Sequence, residues 1–129
     1  MDKTVLIATA KGDSFLAKVE EVPVGVVNVS QIVRGAFQSA YLGYYAFAPN
    51  HRRGYMTQAL ACVVTRAFRQ MGLHRLEANI QPENTPSIAL VRKLGFRQEG
   101  FSRRYLKIRG RWRDHERWAI IKEDWSPRR

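Results

Sequence analysis

The spacing of hydrophobic residues changes along the chain and predicts strands first and a helix afterwards. Up to residue 47 the apolar residues come in short runs rich in Val, Ile, Tyr and Phe, as strands require. These runs predict strands near residues 15–20, 24–32 and 39–47. The segment Val33-Arg34-Gly35-Ala36 predicts the hairpin turn between the last two.

A period of three to four residues then predicts a helix with one buried face. That face is formed by Leu60, Val63, Val64, Ala67, Phe68 and Met71. Gly72 is a natural stop for this helix. Cys62 falls inside the same pattern, and we expect it to be a small core residue.

A strand over residues 75–80 and a second, short helix follow. The strand alternates polar and apolar residues, and the turn residues 81–84 end it. We expect Thr85 to cap the helix, Pro86 to take its first position and Gly95 to end it in the left-handed conformation. The apolar stripe of this helix is Ile88, Leu90, Val91 and Leu94.

The last part of the chain, residues 96–121, predicts strands around an Arg109-Gly110-Arg111 turn. Strands first, then helix, strand, helix and strands indicate an α+β fold with helices packed on a sheet. At 129 residues and 45% hydrophobic composition, we expect residues 1–129 to form a single domain.

The composition narrows the class of protein. No run approaches the ~18 apolar residues that a membrane span needs, and the N-terminus lacks a signal-peptide cleavage pattern. A single cysteine offers neither a disulfide framework nor a metal cluster. We therefore expect a soluble, cytoplasmic protein without a membrane partner or a metal.

The net charge of +11 predicts attraction to an anionic partner. Much of the excess lies in Arg103, Arg104, Lys107, Arg109, Arg111, Arg113, Arg117 and Arg128-Arg129, interleaved with Tyr105, Trp112 and Trp118. Such a segment is a solvated hairpin face or a docking surface for nucleic acid, a ribosome or an acidic substrate. No nucleic-acid motif accompanies it.

A basic turn precedes the first helix and is the candidate anion site. The segment Pro49-Asn50-His51-Arg52-Arg53-Gly54-Tyr55-Met56-Thr57 places two arginines and a glycine where the helix begins. Free amides and the dipole at a helix N-terminus favour an anion, and the arginines add full charge. The pattern predicts a phosphate site.

Several blocks in order carry a resemblance to a known family. They are Gly25-Val26-Val27-Asn28-Val29-Ser30, Tyr41-Leu42-Gly43-Tyr44, residues 51–60, Pro82-Glu83-Asn84-Thr85-Pro86-Ser87, Lys93-Leu94-Gly95-Phe96 and Gly110-Arg111-Trp112-Arg113-Asp114-His115. Together they resemble the GNAT superfamily of acyl-CoA N-acyltransferases, and within it the ribosomal-protein alanine N-acetyltransferases. The resemblance implies a mixed, mostly antiparallel twisted sheet and acetyl transfer from acetyl-CoA to a primary amine, such as a protein N-terminus.

The resemblance also implies where acetyl-CoA binds. It assigns coenzyme contacts to Ala46, Phe47, Ala48, His51, Arg52, Arg53, Gly54, Tyr55, Met56, Thr57, Asn84 and Ser87. An amide near Phe47 would polarise the thioester carbonyl, and Ser87 would protonate the departing thiolate, a task water could also perform. Many relatives use a tyrosine for this proton, at the position of Val91 here.

Each of these positions also has an ordinary structural explanation. The Phe47 ring is equally typical of a strand core, Asn84 of a turn and Ser87 of a first helical turn. His51 stands where relatives carry Gln or Arg and is also typical of a surface turn. Arg52 and Arg53 are alternatively plain exposed charges.

Three residues are candidates for the general base: Glu77, Asp114 and His115. Asp114 is equally suited to anchoring the basic hairpin through an arginine there, Arg111 or Arg113. His74 and His115 alternatively are surface residues.

The chain has too few residues before Pro23 for the strand and two helices with which family members begin. We therefore expect that N-terminal portion, which walls the acceptor site, to be missing or shortened. The outcomes are a small enzyme with an open groove, a homodimer that completes the site, or a coenzyme-binding or ribosome-binding module without catalysis.

Overall fold

The computed structural model describes residues 5–11, 13–47 and 54–126, which form one seven-stranded sheet and two α-helices. The elements are β1 (Leu6–Lys11), β2 (Ser14–Val19), β3 (Val22–Val33), β4 (Ser39–Ala46), α1 (Tyr55–Arg69), β5 (Arg75–Ile80), α2 (Thr85–Lys93), β6 (Arg97–Ile108), β7 (Arg111–Ile121) and a 3-10 turn, Lys122–Asp124. The strand order is β1-β2-β3-β4-β5-β7-β6, and only β4 and β5 pair in parallel. The predicted α+β class with a mixed, mostly antiparallel sheet is confirmed.

Helix α1 buries the predicted stripe except for Met71, which follows the end of the helix at Arg69 and is half-buried. Its buried residues are Met56, Ala59, Leu60, Val63, Val64, Ala67 and Phe68. Cys62, expected in the core, is exposed instead. The reason is geometric, because the buried side chains follow the three- and four-residue steps of one helix face and Cys62 points well away from it.

The start of α2 corrects a second expectation. Asn84, not Thr85, is the capping residue, since the Asn84 side-chain oxygen accepts a hydrogen bond from the Ser87 amide at 3.3 Å. Thr85 therefore takes the first helical position and Pro86 the second. Gly95 has a φ of 98° just beyond the helix, as predicted.

Both helices pack on the same face of the sheet. The strand register aligns Phe15 with Val27 and Val27 with Tyr44 on one face. The Arg66 guanidinium of α1 lies over the Phe15 ring, and α2 contacts the Tyr44 hydroxyl through Ser87. The opposite face leaves Tyr41 and Tyr45 exposed.

Strands β6 and β7 form the predicted hairpin, with positive φ angles of 52° at Arg109 and 81° at Gly110. A bulge opposite Asp114 gives Arg104 a φ of 46°. The Asp114 carboxylate accepts a hydrogen bond from the Arg104 backbone amide at 2.8 Å. Asp114 thus anchors the hairpin through a backbone amide rather than through an arginine side chain.

Among the described residues, no helix combines the length and the apolar character that crossing a membrane requires.

Gly25 on β3 makes room for Met56, the second residue of α1. A Cβ on Gly25 would overlap the Met56 sulfur and lie 2.9 Å from the Tyr45 carbonyl oxygen, which is backbone and cannot yield easily. The glycine therefore fixes how closely the start of α1 approaches the sheet.

We expect Gly25→Ala to lower the free energy of unfolding by about 1–3 kcal/mol, because the added methyl group overpacks this contact. The matched control is Gly43→Ala on β4, where an added Cβ meets no atom within 4 Å. Glycine-to-alanine changes at such sites are neutral or stabilising by about 0.4–1 kcal/mol. Urea denaturation of both variants measures the difference, and equal effects would contradict the packing argument.

Candidate active site

The sheet opens between β4 and β5. These parallel strands pair only at Ser39 with Arg75, Ala40 with Leu76, and Tyr41 with Glu77. Beyond that point β4 continues along β3 to Ala46, and β5 continues along β7 to Ile80. A gap therefore separates the second halves of the two strands.

The hydrogen-bonding direction along β4 decides which backbone groups face this gap. The Phe47 amide donates to the Val24 carbonyl of β3 at 2.9 Å, so it points away from the gap. The Gln38 carbonyl accepts from the Arg75 amide at 3.2 Å, on the β5 side. Since backbone groups alternate sides along a strand, the amides of Tyr44 and Ala46 face the gap.

This register corrects the position expected for the carbonyl-polarising amide. The expectation centred on Phe47, whose amide is committed to β3. The neighbouring Ala46 amide has the right direction instead. The Phe47 ring lies half-buried, with its centroid 5.6 Å from that of Tyr45.

Three adjoining cavities run along the helix face from the outer surface to the gap. Their volumes are about 270, 350 and 290 Å³ from outside inward. Met56, Pro86 and Leu90 line both the outer and the middle cavity. Tyr44, Asn84 and Ser87 line both the middle and the inner one. These shared walls make the three cavities one groove.

The helix N-termini meet at this groove. Gly54, the N-cap residue of α1 with a φ of 73°, lines the outer cavity together with Thr57 and the exposed Lys93 of α2. No acidic residue lies in the first turn of either helix. The α1 dipole and Lys93 therefore make the outer end attractive to an anion.

The structure brings together part of the predicted coenzyme site. Met56, Asn84 and Ser87 line the groove as described, Ala46 lines its middle cavity, and Gly54 and Thr57 its outer one. Tyr55 is half-buried and packs against the core instead. Ala48, His51, Arg52 and Arg53 lie outside the described residues.

The three candidates for the general base are far from equivalent. Glu77 is buried, 7% exposed, on the sheet face opposite the helices, where its two oxygens accept from Arg75 at 2.8 Å and Asn79 at 3.0 Å. Asp114 is engaged at the hairpin bulge. His115 lines the inner cavity.

His115 is therefore not the surface residue that was one expectation, since it is 3% exposed. Its Nδ1 lies 3.0 Å from the Arg113 carbonyl oxygen, which only accepts. A neutral ring then carries its proton on Nδ1 and leaves Nε2 as an acceptor. His74, by contrast, is half-exposed and lies 3.0 Å from a Glu123 carboxylate oxygen.

Tyr44 is a groove residue to which sequence reasoning assigned no role. Its hydroxyl oxygen lies 2.5 Å from Ser87 Oγ. Burial raises the pKa of the Tyr44 phenol, and the hydrogen bond to Ser87 offsets part of that rise. One signal was available, because Tyr44 shares its strand parity with the buried Leu42 and Ala40.

Comparison with known proteins agrees with this geometry. The family model described as acetyltransferase (GNAT) domain matches residues 3–97. The chain belongs to this family.

Relatives within the family share about two residues in five with the chain. A probable N-acetyltransferase of Bacillus subtilis, YjcK, is 42% identical over 78% of this chain and 56% of its own length. The [ribosomal protein uS5]-alanine N-acetyltransferase of Escherichia coli is 41% identical over 82% of this chain and 55% of its own length. The chain thus spans just over half the length of these curated relatives.

Solved structures share the fold. Mycobacterium smegmatis RimJ in complex with CoA-disulfide superposes with a TM-score of 0.83 at 39% identity, over 85% of this chain and 53% of that one. The ribosomal-protein-S5-alanine acetyltransferase of Vibrio fischeri gives a TM-score of 0.82 at 32% identity, over 88% of this chain and 63% of that one.

Asn84 has two separable roles in the GNAT groove, as helix cap and as groove wall. We expect Asn84→Ala to lower the free energy of unfolding by about 1 kcal/mol, because the cap is removed. Asn84→Asp keeps a capping oxygen but adds a negative charge to the groove. It should therefore retain stability and weaken the binding of coenzyme A, which is anionic.

Urea denaturation and calorimetric titration with coenzyme A measure the two effects. If Asn84→Asp binds coenzyme A as the wild type does, Asn84 is a cap alone.

Proposed function

We propose that this chain transfers the acetyl group of acetyl-CoA to a primary amine. The observation that carries the proposal is the continuous groove from the N-terminus of α1, along β4, to the gap between β4 and β5. It joins an anion-attracting end to backbone amides that face an apolar channel. An elongated molecule with phosphates at one end and a thioester at the other would place its phosphates at the anion-attracting end and its thioester at the backbone amides.

In this arrangement the phosphates of acetyl-CoA lie at the α1 N-terminus, beside Gly54 and Lys93. Arg52 and Arg53, which precede Gly54 in sequence, add positive charge there. The arm passes between Met56 and Leu90 and brings the thioester to the gap. The groove's mixed lining, apolar with a few polar groups, is typical of sites that bury such an arm.

At the gap, the chain's own groups assist acyl transfer. The Ala46 amide donates a hydrogen bond to the thioester oxygen, which stabilises the charge that develops there. Ser87 donates a proton to the departing sulfur. His115 Nε2 accepts the surplus proton of the amine through water.

The acid–base chemistry of the acceptor favours an N-terminal α-amino group over a lysine side chain as the amine that is acetylated. With a pKa of about 7.7–8.0, an α-amino group is neutral at pH 7 at a cost of about 1 kcal/mol, whereas a lysine near 10.4 costs about 5 kcal/mol. A histidine acting through water suffices for the former. The name of the Escherichia coli relative, an alanine N-acetyltransferase of a ribosomal protein, supports the same choice.

We place this activity in the cytoplasm, on a homodimer, with a ribosomal protein as one candidate substrate. The dimer is supported by the sheet face opposite the helices, where Tyr41 is 40% and Tyr45 57% exposed. A partner covering that face would form a further wall on the acceptor side of the groove.

We expect wild-type protein to bind acetyl-CoA and to release thiol in the presence of a peptide with a free N-terminal alanine. Lys93→Glu and Arg53→Glu should each weaken acetyl-CoA binding by about tenfold or more, because each removes a hydrogen bond to a charged group, which contributes about 1.5–3 kcal/mol. Lys122→Glu, with the same change in charge at the far end of β7, is the control.

Calorimetry and a thiol-release assay over peptide and small amines measure these effects. Binding without turnover on every amine would leave a coenzyme-binding module and overturn the enzymatic proposal.

A second function, docking on RNA, is favoured by the β6–β7 hairpin. Lys107 and Trp112 lie directly opposite each other across the hairpin, both are exposed, and Arg109 follows at the turn. A cation beside an exposed aromatic ring on one face suits stacking on a base next to a phosphate. This surface is separate from the groove residues at the helix N-termini.

If this surface docks on RNA, the affinity for a single-stranded RNA oligonucleotide should fall steeply with salt. Replacing both Lys107 and Arg109 by Ala should lower the slope of log K against log [salt] by about 1.4, or about 0.7 for each phosphate that the protein no longer neutralises. Fluorescence anisotropy between 50 and 200 mM salt, a range of about fourfold, measures the slope. An unchanged slope would exclude docking by the hairpin.

A further inference from the structure

The Tyr44 hydroxyl and Ser87 form the only side-chain hydrogen bond between β4 and α2 within the described part of the chain. The Tyr44 oxygen lies 2.5 Å from Ser87 Oγ and 3.4 Å from the Ser87 carbonyl oxygen. The carbonyl only accepts, so a Tyr44 proton directed at Ser87 has an acceptor at either atom. When Tyr44 donates to Ser87 in this way, the Ser87 hydroxyl proton can point towards a different acceptor.

The pair lies where the thioester of the proposed function would be. Tyr44 and Ser87 line both the middle and the inner cavity, at the point where the groove reaches the β4–β5 gap. Val91, one turn further along α2, stands where many relatives carry a proton-donating tyrosine, and it is apolar and fully buried. The groove thus has a tyrosine hydroxyl, but on β4 instead of on α2.

The surroundings leave few other proton donors. Among the described residues that line these two cavities, the titratable side chains are Tyr44, Tyr45 and His115, and none is a carboxylate. His115 is placed on the amine side of the gap in the proposed mechanism. Burial already favours the protonated Tyr44 phenol.

We propose that Tyr44 is a proton-relay residue: it orients the Ser87 hydroxyl and replaces the proton that Ser87 gives to the departing coenzyme A sulfur. The inference rests on the acetyl transfer proposed above. It assigns to a strand residue the task for which Ser87 alone is poorly suited, because an aliphatic hydroxyl is a much weaker acid than a phenol.

The step balances in atoms and electrons. The amine nitrogen forms a bond to the acetyl carbon, the carbon–sulfur bond breaks, and the sulfur leaves with the electron pair. The Ser87 proton passes to the sulfur, and the Tyr44 proton passes to Ser87 Oγ. The surplus amine proton passes through water to His115 Nε2 and from there to solvent, and Tyr44 recovers a proton from solvent, so the products are an amide and a thiol.

The test compares Tyr44→Phe, Ser87→Ala and the double variant with the wild type. Tyr44→Phe keeps the ring and removes only the hydroxyl, so thermal unfolding should change little. We expect kcat with acetyl-CoA to fall about a hundredfold, at the lower end of the range for acid–base groups, while KM for acetyl-CoA stays within about twofold. The double variant should be no slower than Ser87→Ala, because both act in one relay.

The control is Ser14→Ala, which removes a hydroxyl that lies 2.7 Å from the Asn28 side-chain oxygen, outside the groove. It should leave kcat unchanged.

A change of leaving group separates proton transfer from simple support of α2. With 4-nitrothiophenyl acetate as the donor, the thiolate is a good leaving group without protonation, so the ratio of wild-type to Tyr44→Phe kcat/KM should shrink towards one. The same ratio for both donors, or an unchanged kcat in Tyr44→Phe, would overturn the relay alone. No thiol release by the wild type on any amine would overturn the acetyl transfer and the relay together.

Discussion

The early end of the β4–β5 ladder is the constraint on which the rest of the site depends. Buried backbone amides and carbonyls need hydrogen-bond partners, so a strand that leaves its neighbour must have somewhere to direct them. Here β3 and β7 satisfy the outer sides of the two strands, and the inner sides face a groove. The groove is therefore polar along one wall before any side chain is considered.

The parallel direction of β4 and β5 then places the helices. Each strand is followed by a helix on the same sheet face, so α1 and α2 both begin at the edge where the strands diverge. Their positive N-terminal ends both border the groove, with the α1 cap Gly54 in the outer cavity and the α2 cap Asn84 in the middle and inner ones. The divergence of β4 and β5 thus accounts for both the proposed anion site and the proposed thioester site. Neither site needs a dedicated cluster of charged side chains among the described residues.

Much of the fold was predictable because its signals are local. The buried stripe of α1, the left-handed Gly95 and the Arg109–Gly110 turn each follow from spacing or conformation within a few residues. The site was predictable only in outline. Strand alternation alone cannot say which backbone amide of β4 faces the gap. A register shift of one residue would turn the Phe47 amide towards the gap in place of the Ala46 amide, and the pairing with β3 sets that register.

The contact between Tyr44 and Ser87 was beyond sequence reasoning for a different reason. The two residues are 43 positions apart, and only the packing of α2 over β4 brings them together. Cys62 is a different case, because the three- and four-residue steps of the α1 stripe already place Cys62 away from the buried face.

Glu77 illustrates how the end of the ladder is held in place. It is the last β5 residue paired with β4, and Arg75 and Asn79 flank it on the same face of the strand. Arg75 also contacts Glu99 of β6 at 2.6 Å, so the cluster ties β5 to the far edge of the sheet. A carboxylate buried with both oxygens engaged is costly to disturb, because removing a partner leaves an uncompensated charge.

The buried Glu77 carboxylate is therefore better suited to fixing where the two strands separate than to accepting a proton from an amine. The proposed acid–base roles then fall to Tyr44 and Ser87 on the helix face and to His115, which lines the inner cavity from the opposite face of the sheet.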